Sequence, residues 1–270
     1  LVTERTKAII PVHLAGQPCD LKGLRALSKK HGIPLIEDAA HALGARYDGV
    51  PIGGDGDDGC FSFYSIKNIT TIEGGMVTLR DPDRATHIRS LAMNGMGQTA
   101  WDRYGRSALS HPLEVLEPGF KYLIGNVSAA MGVEQLKKFT QFRAARRRIA
   151  AMYGEVLGDI PEIELPPTCS HSEHGWHLYV IRLNLDQLRC TRDEFAQALR
   201  EENIGSGVHF FGLHLHQYYR EVLGWQPEDL PVATAASARI LSLPLHPQLT
   251  DRNVNEVAEA VKKVTERWRR

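Results

Sequence analysis

The stretch Cys60–Met76, CFSFYSIKNITTIEGGM, constrains the chain more than any other. Its first four residues alternate as a buried strand does, and the polar, glycine-ended remainder cannot continue that strand. Lys67 therefore lies just past a strand end. Around it Ser65, Asn68, Thr70 and Thr71 offer side chains that can hydrogen-bond a small polar ligand. On these residues alone, a surface lysine in a loop accounts for the pattern as well as a reactive lysine does.

Gly32–His41, GIPLIEDAAH, adds a second constraint. The apolar run Ile33–Ile36 reads as a parallel-sheet strand with two carboxylates, Glu37 and Asp38, at its end. Ligands of open α/β sheets bind outside the carboxyl ends of strands, so Asp38, His41 and Lys67 can share one crevice. A carboxylate that can hold a protonated ring nitrogen, with a lysine that can form a Schiff base, is the pair that pyridoxal phosphate chemistry uses. Two plainer readings stand beside this one: Asp38 as a helix N-cap and His41 as a core histidine.

A chain of 270 residues, 43% hydrophobic and 24% charged, has the make-up of an ordinary globular protein. Its formal net charge of zero argues against a broad nucleic-acid or anionic-membrane surface. Cys19, Cys60, Cys169 and Cys190 lack paired metal-ligand spacing. Neither a signal-peptide pattern nor an apolar run of membrane-spanning length is present. The expectation is a soluble cytoplasmic protein with reduced thiols, no metal, and no nucleic-acid or membrane partner.

Along the chain, Lys7–Val12 reads as a buried strand. Asp20 caps a helix with Leu21, Leu24 and Leu27 inward, which completes a right-handed βαβ unit. Tyr47–Asp58 reads as a hairpin-like turn, without the spacing of a dinucleotide site or an EF-hand. Gly75–Leu79 reads as a strand, and a helix from Asp81 or Asp83 should carry Ile88 and Leu91 inward. Gln98–Pro118 lacks periodicity and should be a long loop. There Trp101, Arg103 and Tyr104 suit a phosphate-bearing, ring-containing substrate, and they suit an oligomer contact equally well.

From Asn126 a packed helix is expected, with Ala129, Ala130, Val133 and Leu136 on its apolar side. Arg143, Arg146, Arg147 and Arg148 form a basic cluster, read as a solvated or ion-paired helix face rather than a nucleic-acid site. Pro161, Pro166 and Pro167 mark a boundary region. Beyond them lie a strand at His177–Leu183, a capping box at Thr191 and Glu194, a helix burying Phe195, Ala198 and Leu199, and a short strand at Val208–Phe211. Asp251–Arg270 reads as an amphipathic helix with Val254, Val257, Ala258 and Val261 inward. His209, His214 and His216 invite a metal reading, which is the weaker one.

PVHLAGQPCD at Pro11–Asp20, IEDAAHALGARYDG at Ile36–Gly49, FSFYSIKNITTIEGGM at Phe61–Met76 and LPLHPQLT at Leu243–Thr250 resemble the DegT–StrS-type sugar aminotransferases, in order and spacing. The resemblance implies an α/β chain of the pyridoxal phosphate (PLP) dependent transferase fold type I. It implies a mixed, mostly parallel sheet flanked by helices over residues 1–140 and a smaller C-terminal α+β domain over 141–270. It also implies that Lys67 carries the cofactor, Asp38 faces its ring nitrogen, His41 lies near its phenolic oxygen, Ser62 binds its phosphate and His13 faces the crevice.

The reaction so implied moves an amino group, from glutamate by analogy, to a nucleotide-linked keto sugar in a homodimer. The family pattern further implies residues preceding Leu1. The chain departs from the commoner pattern at Lys121 and Leu123, where many members carry asparagine and then arginine or asparagine, and this puts an inter-subunit phosphate contact in question. A sugar dehydratase of the same fold would place histidine at position 67, so Lys67 argues against it. A non-catalytic relative has no chemical need for Asp38, Ser62 and Lys67 together. KNIT followed by EGGM is reminiscent of the enzyme that aminates arabinose for lipid A.

Overall fold

A computed structural model describes residues 1–97, 114–167 and 169–270. Two units emerge: Leu1–Leu14 with Pro18–Phe139, and Ala15–Gln17 with Thr140–Arg270. In the first unit Asp20 starts helix α1 (Leu21–His31) by accepting the otherwise free amide of Gly23 at 3.1 Å. Gly32, at φ 65°, ends it in a left-handed turn that a residue with a side chain would resist. The apolar stripe expected on α1 shrinks to Leu21, the only one of its leucines that is fully buried.

Strand β1 (Ile36–Asp38) follows, overlapping the apolar run Ile33–Ile36 only at Ile36. β2 (Arg46–Tyr47) and β3 (Val50–Pro51) form a hairpin across Asp48 and Gly49. Both turn residues have positive φ, 46° and 77°, as a two-residue turn matched to strand twist requires. β4 (Asp58–Ser62) then runs parallel to β1, with Cys60 opposite Asp38, and β5 (Gly75–Thr78) returns antiparallel on the far side of β4. The sheet is mixed, in the order β1-β4-β5.

One expectation for this unit fails and a second holds only in part. Lys7–Val12 is not a buried strand: it makes only isolated bridges, Ile9 to Leu35 and Val12 to Asp38, and Ile10 and Val12 are exposed. Pro11, with no amide to donate, interrupts the ladder. Helix α2 (Pro82–Ala92), capped by Asp81, buries none of its residues fully, and Ile88 and Leu91 are only half-buried.

The second unit packs an antiparallel sheet of Ile163–Glu164, Tyr179–Leu183 and Ile240–Leu243 against helices Arg192–Glu201 and Asp251–Trp268. Along Tyr179–Leu183 the odd positions Tyr179, Ile181 and Leu183 are buried while Arg182 is exposed, the period-2 pattern of a half-covered sheet. The capping box at Thr191 and Glu194 forms, and both helices bury the side chains read from their 3.6-residue period. Val208–Phe211 is not a strand: Gly207 bridges Ser242, and Phe210 and Phe211 stay exposed.

Helix Asn126–Leu157 gives its first part to the first unit and its remainder to the second. The second half buries Ile149, Tyr153 and Leu157, whereas Val133 (54%) and Leu136 (51%) of the first half are exposed. The basic cluster on this helix is ion-paired as expected, except at Arg146. Arg143 and Arg147 pair with Glu173, and Arg148 pairs with Asp251. Arg146 is buried and donates from Nη1 to the carbonyls of Trp176, His177 and Leu245 at 3.0, 3.1 and 3.0 Å. Burial pulls its pKa down to about 10, which leaves it charged at neutral pH.

Among the described residues no helix is long and apolar enough to cross a membrane, and no group of three or more His, Cys, Asp or Glu is placed to hold a metal ion. His209 is instead hydrogen-bonded to Ser242 at 2.8 Å, and His214 to Thr234 at 2.7 Å.

Candidate active site

The parallel pairing of β1 with β4 brings two chain exits to the same edge of the first unit. β1 ends at Asp38 and β4 at Ser62, five residues before Lys67. No helix follows Asp38. Its Oδ1 accepts the amide of Ala40 at 3.0 Å, and the chain continues through turns that bury Ala39, Ala42 and Ala45. The helix-cap reading of Asp38 therefore gives way to a short local turn that leaves the carboxylate half-buried. His41 sits in that turn, also half-buried.

The loop after β4 folds on itself. Lys67 donates its amide to Tyr64 at 3.0 Å, Thr71 to Phe63 at 2.9 Å, and Phe63 to Gly74 at 2.8 Å. Asn68 reaches the carbonyl of Leu43 at 3.4 Å and the Thr71 hydroxyl that of Glu73 at 2.8 Å. Asn68, Ile69 and Thr71 are buried. Asn68 and Thr71, side chains able to hydrogen-bond a ligand, thus also pin the loop. Ile72 holds φ at 70°, a conformation that costs a side-chain residue about 1–3 kcal/mol and that clusters at ligand sites.

Electrostatics single out Lys67. Burial pulls its pKa below the ordinary lysine value, and Asp38 lies near enough to push partly the other way. A larger share of neutral amine follows, and neutral amine is the form that attacks a carbonyl. Cys60, opposite Asp38, has its thiol pushed up by burial and by Asp38 and Asp58, so it stays protonated and is a poor nucleophile.

Behind the site lies a charge network that the sequence did not suggest. Glu37 is fully buried and accepts the Gly53 amide at 3.0 Å and His13 Nε2 at 3.2 Å. His13 is equally buried, and its Nδ1 accepts the Cys19 amide at 3.1 Å, which leaves the ring proton on Nε2. Both His13 nitrogens are thus engaged within the protein, which leaves the ring face as the part of this side chain that a ligand could meet. The available signal was two adjacent carboxylates at a strand end. Alternation must turn one of them inward, where it needs partners.

Trp101, Arg103 and Tyr104 lie outside the described residues. Lys121 and Leu123 line a cleft of about 630 Å3 in the first unit, with Arg89, Gly74 and Gly75. A larger cavity of about 840 Å3 in the second unit is lined by none of the candidate site residues.

Pyridoxal phosphate asks for an amine, a carboxylate opposite its ring nitrogen and donors for its phosphate. The residues present fit it. Lys67 and Asp38 supply the first two. The hydroxyl of Ser62 accepts the Tyr64 amide at 3.3 Å, so its own hydrogen remains to donate outward.

Known proteins point to the same chemistry. The model of the DegT/DnrJ/EryC1/StrS aminotransferase family matches residues 1–262. The Bacillus subtilis spore coat polysaccharide biosynthesis protein SpsC is 41% identical over 264 residues, which cover 97% of this chain and 68% of that protein. Among solved structures, Helicobacter pylori PseC, an aminotransferase involved in the biosynthesis of pseudoaminic acid, superposes with a TM-score of 0.89. It is 28% identical, over 99% of this chain and 69% of PseC. The sugar aminotransferase Spr1654 of Streptococcus pneumoniae, in its PMP form, gives the same TM-score at 29% identity, over 98% of this chain and 71% of its own. The chain belongs to the DegT/DnrJ/EryC1/StrS aminotransferase family, PLP-dependent sugar aminotransferases of fold type I.

Proposed function

We propose that Lys67 is the catalytic lysine, that Asp38 holds the ring nitrogen, that Ser62 binds the cofactor phosphate and that His41 lies beside the phenolic oxygen. The reading rests on one observation: a half-buried lysine, tuned toward its neutral form, in electrostatic reach of a carboxylate at the ends of two parallel strands. Bound there, PLP supplies an electron-withdrawing ring that lowers the barrier to removing a proton from an amino acid's α-carbon. The Lys67 amine would take that proton and deliver it to the cofactor's own carbon on the far side of the nitrogen, and the Asp38 carboxylate would keep the ring nitrogen protonated meanwhile. Because Lys67 performs two tasks, its loss removes both.

Glutamate is the proposed donor and a nucleotide-linked keto sugar the proposed acceptor, with Trp101, Arg103 and Tyr104 suited to its phosphate and rings. The family relationship and the sequence pattern support these assignments. We place the enzyme in the cytoplasm, a setting consistent with four unpaired cysteines. A homodimer accords with the apolar side chains left exposed at Tyr122, Leu123, Ile124, Val127, Val133 and Leu136.

The test is a single-turnover reaction of the cofactor-loaded protein with glutamate. Stoichiometric 2-oxoglutarate is expected, and turnover should continue only when a nucleotide-linked keto sugar is supplied. Release of no keto acid from any common amino acid would contradict the proposal.

A further inference from the structure

β1 is three residues long, so its alternation sends Glu37 and Asp38 to opposite faces. Its backbone is tied on both sides: it pairs in parallel with β4, Ile36 donates to Ile9 at 3.0 Å, Asp38 donates to Pro11 at 2.9 Å, its carbonyl accepts from His13 at 3.1 Å, and Ala39 donates to Cys60 at 2.9 Å. These ladders place the backbone, and the side-chain anchors then differ sharply between its two carboxylates. The Asp38 carboxylate accepts from Ala40, within its own turn. Glu37 is anchored far more heavily, by groups from three separate segments. These are His13 before the strand, Gly53 in the turn after β3, and Arg25 of α1, whose Nη2 lies 3.7 Å from Glu37 Oε1.

Arg25 is fixed in turn by Asp55 at 2.6 Å and Asp57 at 2.7 Å. Among the described residues Glu37 Oε1 has no hydrogen-bond partner, and it relies on the guanidinium charge alone. Burial works to raise the Glu37 pKa, but His13, Gly53 and Arg25 outweigh it and keep the carboxylate ionised. An ionised carboxylate buried in this way cannot leave its partners without a large penalty.

We propose that Glu37 is a positioning residue for the cofactor site: by fastening β1 from behind, it sets where the Asp38 carboxylate stands in front. The proposal rests on the assignment of Asp38 to the ring nitrogen. Glutamine at position 37 still accepts from Gly53 and His13 but turns an amide donor toward Arg25, so β1 loses one of its three anchors while its volume is kept.

The experiment measures the PLP dissociation constant of Glu37→Gln, Asp38→Asn and the double variant, with far-UV circular dichroism and thermal midpoints alongside. Glu37→Gln should stay folded and bind PLP about tenfold more weakly, the size of coupling found within one polar network. The double variant should bind no more weakly than Asp38→Asn, since Glu37 acts through Asp38. Unchanged affinity in Glu37→Gln, or losses that add in full, overturns the proposal while leaving the Asp38 assignment intact. Parental affinity in Asp38→Asn overturns that assignment and the proposal with it. Should Glu37→Gln fail to fold, Arg25→Met, at a partly exposed side chain, carries the same test. It should weaken PLP binding on its own and have no further effect when combined with Asp38→Asn; unchanged affinity in Arg25→Met, or a full additional loss in the combination, overturns the proposal.

Discussion

Both units bury polar groups, among them His13, Glu37, Asp58 and Asn68 in the first and Arg146, Glu162 and His214 in the second, but the second sets them beside a large apolar cluster that includes Tyr153, Tyr179, Phe195 and Leu241. The apolar cluster of the first unit is three alanines with Leu21 and Ile52. Apolar burial is non-directional and grows with area, about 25 cal/mol per Å2, so the second unit has the larger source of stability that does not depend on any one contact. A buried hydrogen-bonded network is directional and fails when one member is lost. With the smaller apolar cluster, the first unit leans more on its buried polar network, and the candidate site lies there.

This contrast can be broken. The largest expected effect is at Lys67, where Lys67→Ala should abolish turnover while the thermal midpoint holds or rises. Burial has lowered the folded-state pKa of this lysine, so the unfolded chain binds more protons between the two values and the charged form opposes folding below them. Clear turnover by this variant would remove the first unit from catalysis. Next comes Phe195→Ala in the second unit, which should cost about 3–5 kcal/mol in denaturant unfolding. Activity per folded molecule should be unchanged, and a parallel fall in both would erase the division of labour.

Arg146→Met sharpens the comparison, because Arg146 is a directional element inside the apolar unit. Removing its guanidinium strands the carbonyls of Trp176, His177 and Leu245 and should cost about 1–3 kcal/mol. A variant as stable as the parent would make the arginine dispensable packing. The smallest effect is a pH slope. Burial pushes His174 down to about 4, and its Nδ1 accepts the Trp176 amide at 2.8 Å. Below the ordinary histidine value the unfolded chain binds the extra proton, so stability should fall as pH drops from about 6.5 toward 4. His174→Phe should flatten that slope in thermal melts taken across this range; an unchanged slope would show that other groups govern it.

Most of what is legible in the sequence is periodic. Asp251–Trp268 and Arg192–Glu201 announce themselves through 3.6-residue stripes and caps, and the turn-rich Tyr47–Asp58 signals a hairpin whose strands prove to be Arg46–Tyr47 and Val50–Pro51. What stays hidden depends on partners distant in sequence. Arg146 looks like its solvated neighbours until Trp176 and Leu245 are brought to it. Val133 and Leu136 follow an apolar stripe, yet remain exposed among the described residues. Lys7–Val12 and Val208–Phe211 have strand composition but make only isolated bridges in or beside them.

The site divides in the same way. Asp38, Ser62 and Lys67 are legible from strand ends and family pattern, whereas Glu37 and Arg25 are not, because a buried ion pair leaves no periodic trace. His13 stands out in the sequence as a residue of consequence, but its bond to Glu37 shows only once the strands are assembled.

The measurement that tests the central claim most directly is a visible absorption titration of the chain with PLP, beside Lys67→Ala. The account predicts a saturable band that requires Lys67 and bleaches when glutamate is added. No band with the intact chain, or an equal band in Lys67→Ala, would contradict it.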